Sequence, residues 1–590
     1  MKNILAFLKK ITTNQSFISI IMACFSYSSI CLSGIILTYN IMSWLVFFSL
    51  IMLYLKTEIF NKKLKKEILC LSILFSFIIV YGGIAYSLMD NSELSIFSNL
   101  FSMKSLFNFI GSFNFIYIIL TNFIPKIYSI SIKNNKSIIK KSWIIFVISF
   151  FVILICWLPY FLTFYPGTIS SDSLGELSTV INNFTNVSDH HPVLHILFIS
   201  VPYNIGYAIF GNITSAVAVV TVSQMIILSS IFSSLIVFLY NRKIRDIILF
   251  MVMIFYALIP MHGYYSIVMW KDVLFSGLLL LLTMQTIRII EKEQDRTLSF
   301  KKLIGFIITS ILCVFFRNNA IYMYMILAIV TLIIFRKYYK IFIGAFLIVF
   351  LTYYIIKGPV FDYFNILKSA SAEYIGMPLQ QIGRMAFKNV DFTDEEEILI
   401  NDLMPIEIMK DAYNPRISDG IKFNKSYNGI VFDENKMEYL KLWLNLVKKY
   451  PGVALESYSM STLGYWYPGV EYWSVSNSIW ENDYSLVIDS KTPKTVQNFI
   501  SSLESRRAPI LNIQWSIGFC FWLILIFGML SFKKIGIKGL YSFVPIFGIW
   551  ITMMLASPVF GEFRYVYGAF TCLPILIIIP YLFSKKKIKR

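Results

Sequence analysis

The feature that most constrains this chain is a series of long apolar segments, each near the length with which an α-helix crosses a bilayer. About 20 residues of helix span the hydrocarbon core. Of 590 residues, 57% are hydrophobic and only 14% charged, more apolar surface than a soluble domain can hide from water. The apolar runs are continuous rather than alternating, which favours helices. The sequence therefore predicts an all-α, polytopic membrane protein.

The basic residues predict the topology. The net charge is +19, and much of the Lys and Arg lies in short loops between apolar runs. Retention of basic residues in the cytoplasm explains this charge without nucleic acid as a partner. Placing these loops inside predicts about 14 transmembrane helices with both termini cytoplasmic. The predicted spans are 16–37, 40–55, 68–88, 107–125, 143–163, 214–240, 247–262, 272–290, 303–316, 320–335, 341–357, 511–531, 539–557 and 565–583.

One apolar run, residues 193–210, does not fit this charge rule, because a crossing there would invert every later loop. It also carries His195 and Pro202. We therefore expect a helix that lies in the outer interface rather than a span. The spans 303–316 and 320–335 are short, so their turn is expected inside the bundle.

Four regions follow from this topology. They are an N-terminal four-span region (1–142), a membrane core (143–357) with its first outer loop at 164–213, an extracytoplasmic loop domain (358–510) and a C-terminal three-span region with a basic cytoplasmic tail (511–590). The loop domain is too long for an ordinary connection and is long enough for a small α-rich domain.

Polar chemistry gathers on the predicted outer face, which includes all four histidines. The first motif there is YPGTISSDSLGELSTVINNFTNVSDHHPVLH at 165–195. Asp172 and Glu176 share a face if the segment is helical, and Asp189 precedes His190 and His191. Together they offer a general base and donors to an anionic ligand. The alternative is that Asp172 only caps a helix.

No clear metal motif accompanies these residues. Adjacent ligands such as Asp189, His190 and His191 chelate poorly, and the seven cysteines lack metal-like spacing. A divalent metal is left as an alternative that no clear motif indicates, and no other cofactor is predicted.

The second motif runs from His262 to Trp270-Lys271-Asp272, at the mouth of two predicted spans, with 262–272 expected as an outer turn. Lys271 suits a grip on phosphate, and Asp272 suits orientation of that phosphate or of a substrate hydroxyl. The alternatives are a Lys that reaches the interface and an Asp that begins a helix.

Two further motifs carry arginines on the outer face, against the inside preference of basic residues. They are Arg317-Asn318-Asn319 and Glu562-Phe563-Arg564-Tyr565. Each Arg suits a bidentate grip on phosphate, and the alternative for Glu562 and Arg564 is a structural pair. The candidate substrate-binding residues in the loop domain are Gln380, Gln381, Arg384 and Trp466. Trp466 lies in the aromatic-rich stretch 464–480, which suits either a carbohydrate face or an interfacial belt.

A reaction follows from these residue types. No Walker or Rossmann motif is present to bind a nucleotide, so an activated sugar outside would arrive on a lipid carrier. Transfer needs a carboxylate to deprotonate an acceptor and cations to stabilise the departing phosphate. Asp172 and Asp272 are the candidate catalytic residues. The candidates for the phosphate are Lys271, Arg317, Arg564, His190 and His191.

The stretch from Asp172 to residue 220 resembles the first outer loop of the GT-C superfamily of lipid-sugar-dependent glycosyltransferases. Asp172, Pro192 and Gly211 occupy the places of its acidic residue, helix-opening Pro and Gly. Asp272 resembles an acidic residue that heads a later span, and Arg564 resembles a C-terminal Arg. The resemblance implies a GT-C-like fold, inverting transfer from a polyprenyl-phosphate sugar, and Asp172 as the base.

The chain looks still more like a bacterial family of large membrane proteins over residues 143–583. The shared motifs are YPG with Asp172, HHP, WKD, RNN, PLQQ with Arg384, GYWYP and GEFRY. One departure concerns the superfamily: many members have two adjacent acidic residues, sometimes metal-linked, whereas Ser173 follows Asp172 here. This departure puts metal dependence in doubt.

The prediction is therefore a multi-pass glycosyltransferase of the bacterial plasma membrane, with its active site outside. Its expected partners are a polyprenyl-phosphate-linked sugar, membrane lipid and an outer glycan, lipid or protein as the acceptor. A transporter or flippase for lipid-linked sugar is the main alternative, although most charges lie at span ends and no repeat is visible. A polysaccharide polymerase or ligase, or a scaffold, are the others.

Overall fold

The computed structural model describes residues 14–32, 41–57, 64–89, 95–133, 141–185, 187–369, 375–504, 512–557 and 559–583. Helices dominate these residues, and the only extended pairing among them consists of isolated bridges between single residues. The predicted all-α class is confirmed. The chain divides into two compact units.

The first unit comprises Met1–Ser131, Tyr374–Glu471 and Ser557–Gly561. Its N-terminal helices are Asn14–Leu32, Ile41–Lys56, Lys65–Ser87, Ile96–Leu100 and Met103–Ser129. Its later helices are Gly376–Phe387, Asp394–Leu403, Ile406–Ala412, Asp419–Lys422, Gly429–Glu434, Lys436–Lys449 and Pro451–Thr462, with a turn of 3₁₀ helix at Leu463–Tyr465.

These later helices enclose an apolar core of their own, which includes Leu379, Met385, Met409 and Leu446. The Thr393 side chain and Glu396 form a capping box that begins Asp394–Leu403. These helices belong to the same compact unit as the N-terminal helices, and a separate loop domain stays a prediction.

The second unit comprises Ile132–Glu373, Tyr472–Ala556 and Glu562–Arg590. Its helices are Ser142–Thr163, Ser171–Ile181, Val193–Phe210, Ile213–Tyr240, Asp246–Leu258, Pro260–Ile267, Lys271–Gln294, Ile304–Phe316, Ala320–Ile334, Tyr339–Ile355, Phe361–Tyr363, Lys494–Leu503, Ile517–Ile535, Ile537–Tyr541, Val544–Ala556 and Phe563–Leu582. Single turns of 3₁₀ helix lie at Phe300–Leu303, Arg336–Tyr338 and Ile513–Trp515, and a π turn lies at Ile356–Val360. The predicted loop 358–510 thus contributes residues to both units, while the four predicted regions stay predictions.

Within the described ranges, nine helices are long and apolar enough to cross a membrane, or ten if a bent pair counts as one span. The chain is therefore a polytopic membrane protein. The segment Val193–Phe210 is among the nine, so its predicted place in the interface stays a prediction. The described parts of 14–32, 41–56, 320–334 and 544–556 are shorter apolar helices, and Ile304–Phe316 has 13 residues.

The bent pair corrects one expectation. The sequence predicts a single span at 247–262 followed by an outer turn, but the helix Asp246–Leu258 ends before Pro260, and a second helix, Pro260–Ile267, continues at 52° to it. Proline favours this break because it lacks an N–H and clashes with the preceding turn. Residues 260–267 are all buried.

A glycine allows two helices of the second unit to pack closely. Val193–Phe210 ends at Gly211, whose φ of +67° suits glycine, and Asn212 caps the next helix. A Cβ on Gly206 would lie 2.8 Å from the Ala216 Cα. The two helices can pack this closely only because Gly206 has no side chain.

Candidate functional site

The site begins with the extended residues that follow the helix Ser142–Thr163. The Thr168 N–H donates to the Ile267 carbonyl at 3.1 Å, and the Thr168 carbonyl accepts from Met269 at 3.1 Å. On its other side, Ile169 exchanges backbone hydrogen bonds with residues 478 and 480. The segment is therefore fixed between two other parts of the same unit, which aligns the first motif with the second.

Glycine is needed at one position in this segment. Gly167 has φ of +129°, and a Cβ there would lie 2.3 Å from the Thr221 hydroxyl oxygen. That hydroxyl donates to the Pro166 carbonyl at 2.8 Å. The Tyr-Pro-Gly motif therefore has a structural role: it turns the chain tightly against the helix Ile213–Tyr240.

Ser170 joins the two motifs directly. Its hydroxyl caps the helix Ser171–Ile181 and accepts from the Trp270 indole N–H at 2.8 Å. Trp270 is buried and immediately precedes Lys271 and Asp272. One cap thus orients Asp172, in the first turn of its helix, relative to the start of the helix Lys271–Gln294.

Asp172 and Arg564 form the first of two Asp–Arg pairs. Asp172 Oδ2 accepts from Arg564 Nη1 at 2.8 Å, and the side chains are 34% and 15% exposed. The guanidinium carbon lies 5.4 Å from the centre of the Trp270 ring, while Arg564 Nε lies 3.6 Å from Glu562 Oε1. We call this the open pair, because its carboxylate is accessible to a ligand.

Asp272 and Arg317 form the second pair. Arg317 Nη1 lies 3.0 Å from Asp272 Oδ1, and the side chains are 8% and 2% exposed respectively. This contact is an ion pair, because neither oxygen of Asp272 accepts an aligned hydrogen bond from the described residues, while Arg317 Nη1 donates to the Tyr565 carbonyl at 2.8 Å. We call this the closed pair.

A chain of polar side chains lies beside the open pair. Lys271 Nζ lies 3.2 Å from His191 Nδ1, and His191 Nδ1 lies 3.5 Å from Glu176 Oε1. Glu176 is also hydrogen-bonded to the Nδ1 of His195. Glu176 and His195 are both buried, so this carboxylate is not exposed to a ligand.

The charges in the cluster set the protonation states of Asp172 and His191. Burial would raise the pKa of Asp172, but Arg564 and Lys271 outweigh it and lower the pKa to about 2. Burial and the neighbouring Lys271 lower the pKa of His191 to about 4. Burial would also raise the pKa of Glu176, yet its histidine partners lower it. At neutral pH Asp172 is therefore ionised, and neutral His191 accepts from Lys271.

Asp189 belongs to a separate network. Its carboxylate pairs with Lys357 at 2.5 Å, and Lys357 also donates to Asn318 Oδ1 at 3.0 Å. The Asp189 carbonyl accepts from Asn318 and from Ser369. These bonds hold the loop before His190 and His191 against other parts of the unit, which is a structural arrangement.

The remaining two histidines of the prediction have different surroundings. His190 is exposed, and its ring centroid lies 4.6 Å from that of His191. His262 is fully buried, its Nδ1 bonds the Tyr567 hydroxyl at 2.8 Å, and Phe255 and Tyr256 pack on its ring. This position follows from the helical break at Pro260, which puts His262 in the core of the unit instead of in an outer turn.

The four predicted site residues of the loop domain lie in the first unit, where each has local partners. The fully buried Arg384 pairs with Glu456 at 3.1 Å. Gln380 donates to the Asn414 carbonyl at 2.9 Å, Gln381 donates to the Ala454 carbonyl at 3.0 Å and Trp466 donates to Thr462 at 3.2 Å. Their role in binding stays a prediction.

Sequence reasoning missed two residues that build the site and one that supports the loop beside it. Trp270 was part of a motif but not a site candidate, and His195 was noted only as part of an apolar run. Lys357, which holds Asp189, was not singled out. His195 and Lys357 both offered a signal, because a His or a Lys in a long apolar run needs a partner.

Within the described residues, no three His, Cys, Asp or Glu side chains are grouped so as to hold a metal ion. What the second unit does gather is carboxylates and cations from four motifs. Asp172, Glu176, Asp272 and Glu562 lie among Lys271, Arg317 and Arg564. We call these seven residues the charged cluster.

Comparisons with known proteins yield one match. The model of DUF6020, a family of unknown function, matches residues 7–590. No curated protein and no solved structure matches the chain.

Proposed function

The chain belongs to the DUF6020 family of unknown function, and we propose from its charged cluster that it is an integral membrane glycosyltransferase. The proposed donor is a sugar on a polyprenyl phosphate, and the proposed acceptor is an extracytoplasmic one such as a cell-envelope glycopolymer. The proposal includes a GT-C-like fold of about 14 spans, in a bacterial plasma membrane with the site facing outside.

The observation that carries the proposal is the open pair. Asp172 and Arg564 are 392 residues apart in the chain, yet they meet at 2.8 Å with the carboxylate about one-third exposed. Lys271 lies beside them through His191. A carboxylate and two cations at one accessible point are the groups that sugar transfer from a phosphate requires.

In the proposed reaction, the acceptor oxygen bonds to the anomeric carbon of the sugar as the bond from that carbon to the phosphate oxygen breaks. The electron pair of the broken bond leaves with the polyprenyl phosphate. Arg564 and Lys271 stabilise this added negative charge. Arg564 is suited to the task because its planar guanidinium can face two phosphate oxygens at once.

Asp172 takes the proton of the acceptor hydroxyl. In the unliganded cluster its pKa of about 2 makes it a weak base. A phosphate that takes over Arg564 removes the largest favourable charge from Asp172, so its pKa rises as the donor binds. Asp172 is thus a stronger base when the donor is bound.

Asp272 has a different role in this proposal. Its side chain is 2% exposed, so an acceptor does not reach it without a rearrangement. It holds Arg317, which in turn donates to the carbonyl of Tyr565, the residue after Arg564. Asp272 is therefore a positioning residue for the open pair, and Asp172 is the base.

Mass analysis of cell-envelope glycans tests the proposal. The samples are cells with the wild-type protein, with Asp172→Asn, with a deletion of the gene, and with Glu291→Gln. Glu291 is the matched control, since its pair with Arg242 has side chains 30% and 17% exposed, close to those of the open pair.

We expect the deletion and Asp172→Asn to lose the same sugar substituent, with the variant present in the membrane at the wild-type level. Glu291→Gln should retain it. Loss in the deletion alone would remove Asp172 as the base. An unchanged glycan profile in the deletion would refute the glycosyltransferase and favour a transporter.

A further inference from the structure

Two exposed indoles lie beside the charged cluster. Trp473 and Trp480 are 45% and 58% exposed, and both lie in the irregular segment that precedes the helix Lys494–Leu503. An indole is among the largest apolar groups in a protein, and two exposed indoles in one segment beside polar groups are the kind of surface to which a ligand can stack.

The segment is held firmly to the site. The Ser474 carbonyl accepts from the Tyr265 hydroxyl at 2.9 Å, and the Ser478 carbonyl accepts from the Ile169 N–H at 3.1 Å. The Trp480 N–H donates to the Ile169 carbonyl at 2.8 Å. The backbone beside Trp473 is therefore held by Tyr265, and the backbone of Trp480 is fixed to Ile169, three residues before Asp172.

A side-chain turn fixes the chain after Trp480. Asn482 Oδ1 accepts from the N–H groups of Tyr484 and Leu486, and its Nδ2 donates to the carbonyls of Trp480 and Leu486. Because the amide uses all of its principal bonds, this turn keeps one shape. A site with rigid aromatic groups loses little conformational entropy on binding.

The first indole also touches the site itself. Trp473 and Trp270 have ring centroids 6.0 Å apart, and Trp270 bonds the cap of the Asp172 helix and lies under the Arg564 guanidinium. A ligand stacked on Trp473 would thus have its end near the open pair.

The charge of the segment limits what this ligand can be. Two carboxylates, Glu481 and Asp483, lie within three residues of Trp480, whereas Asp489 pairs with Lys491 at the end of the segment, in a chain of net charge +19. Anionic lipid headgroups and polyanionic polymers are repelled by such a segment. A sugar ring suits it, because its C–H face stacks on an indole while its hydroxyls donate to carboxylates and amides.

We propose that Trp473 and Trp480 form a binding site for an uncharged glycan, which serves as the acceptor. The role of this glycan as the acceptor rests on the proposed function. The binding site itself stands on the two indoles, their fixed backbone and the acidic segment that carries them.

Saturation-transfer NMR on the full-length protein in detergent micelles tests the binding. The probes are uncharged cello- and chito-oligosaccharides, with hyaluronan as a polyanionic glycan. The proteins are the wild type, W473A/W480A, and W143A, which removes an indole that is 61% exposed on the helix Ser142–Thr163. We expect the double variant to weaken binding of at least one uncharged probe by roughly tenfold.

W143A should bind like the wild type, and hyaluronan should not bind. Equal binding by the wild type and W473A/W480A, or no binding of any uncharged probe, would overturn the site. These results do not depend on sugar transfer. If Asp172→Asn does not support the glycosyltransferase, the glycan site can still stand, and if the glycan site fails, the glycosyltransferase can still stand.

A second measurement separates a glycan site from a membrane belt. Brominated phospholipid in reconstituted vesicles quenches indoles that reach the lipid. The difference in emission between the wild type and W473A/W480A reports on Trp473 and Trp480, and it should be insensitive to bromination. The corresponding difference for W143A reports on Trp143, and it should be quenched. Quenching of both sets would assign Trp473 and Trp480 to the bilayer interface and overturn the proposal.

Discussion

The open and closed pairs are the same two residue types in opposite surroundings. Asp172 and Arg564 are 34% and 15% exposed, whereas Asp272 and Arg317 are 2% and 8% exposed. An exposed pair contributes about 0–1 kcal/mol to folding because water screens it. Loss of one partner of a buried pair costs about 3–5 kcal/mol, because it leaves an uncompensated charge.

This difference in exposure separates the pair suited to catalysis from the pair suited to a structural role within the charged cluster. The open pair can exchange partners with a ligand at little cost, which is what a base and a phosphate-binding Arg need. The closed pair cannot, and its Arg317 is further held by the Tyr565 carbonyl. Variants of the two aspartates should therefore affect different measurements.

The largest effect is expected for Asp272→Asn. It leaves Arg317 buried without its counter-charge, so the free energy of unfolding should fall by about 3–5 kcal/mol. The thermal midpoint of the purified protein, followed by fluorescence-detected size exclusion, measures this. Asp272→Leu combined with Arg317→Met should recover most of the loss, because it removes both charges. A stable Asp272→Asn protein would show that the closed pair is not structural.

A smaller effect of another kind is expected for Asp172→Asn. Transfer should fall by a factor of roughly 100, about 3 kcal/mol of barrier, with the thermal midpoint unchanged within error. The rate of sugar incorporation into membranes that hold equal amounts of protein measures it. A large loss of stability in this variant would mean that the open pair, like the closed pair, stabilises the fold.

The pH dependence of stability tests the residue beside the open pair. The folded pKa of His191 is about 4, below its usual value of 6.5, so the unfolded chain binds more protons between those values. Stability should therefore fall as pH drops from about 6.5 to 4, by about 1–3 kcal/mol from this group. In His191→Gln this part of the decrease should be absent, as seen in the difference between the two thermal-midpoint curves. Parallel curves would contradict it.

The smallest effect is expected for Glu291→Gln. Its pair with Arg242 matches the open pair in exposure, so stability should change by less than about 1 kcal/mol. Transfer should not change, because Glu291 lies 19 residues after Asp272 on one helix, about 29 Å away. Loss of transfer in this variant would indicate a general defect of the membrane region and would weaken the conclusion from Asp172.

Much of the site could be predicted because charge is rare in this chain. Asp172, Lys271 and Arg564 stood out as charges on a predicted outer face, and the structure brings them into one unit, where Asp172 contacts Arg564 and Lys271 contacts His191. The sequence could not predict which Arg pairs with which Asp. That choice depends on how distant helices pack, and no local pattern records it.

The fold was predictable in class but not in detail. Continuous apolar runs predict helices, yet hydropathy averages over a break such as the one before Pro260. It therefore placed His262 in an outer turn, although the residue is fully buried among aromatic rings. Cation–carboxylate pairs such as Lys357 with Asp189 were missed for another reason, because the two partners come from separate parts of the chain.

The second helix of the broken span has a further consequence for the site. The helix Pro260–Ile267 ends among buried residues, where carbonyl groups need partners. The side-chain amide of Gln224 donates to the carbonyls of Ser266 and Val268. One amide, in a helix that carries none of the proposed chemistry, thus holds the residues that lead into Trp270, Lys271 and Asp272.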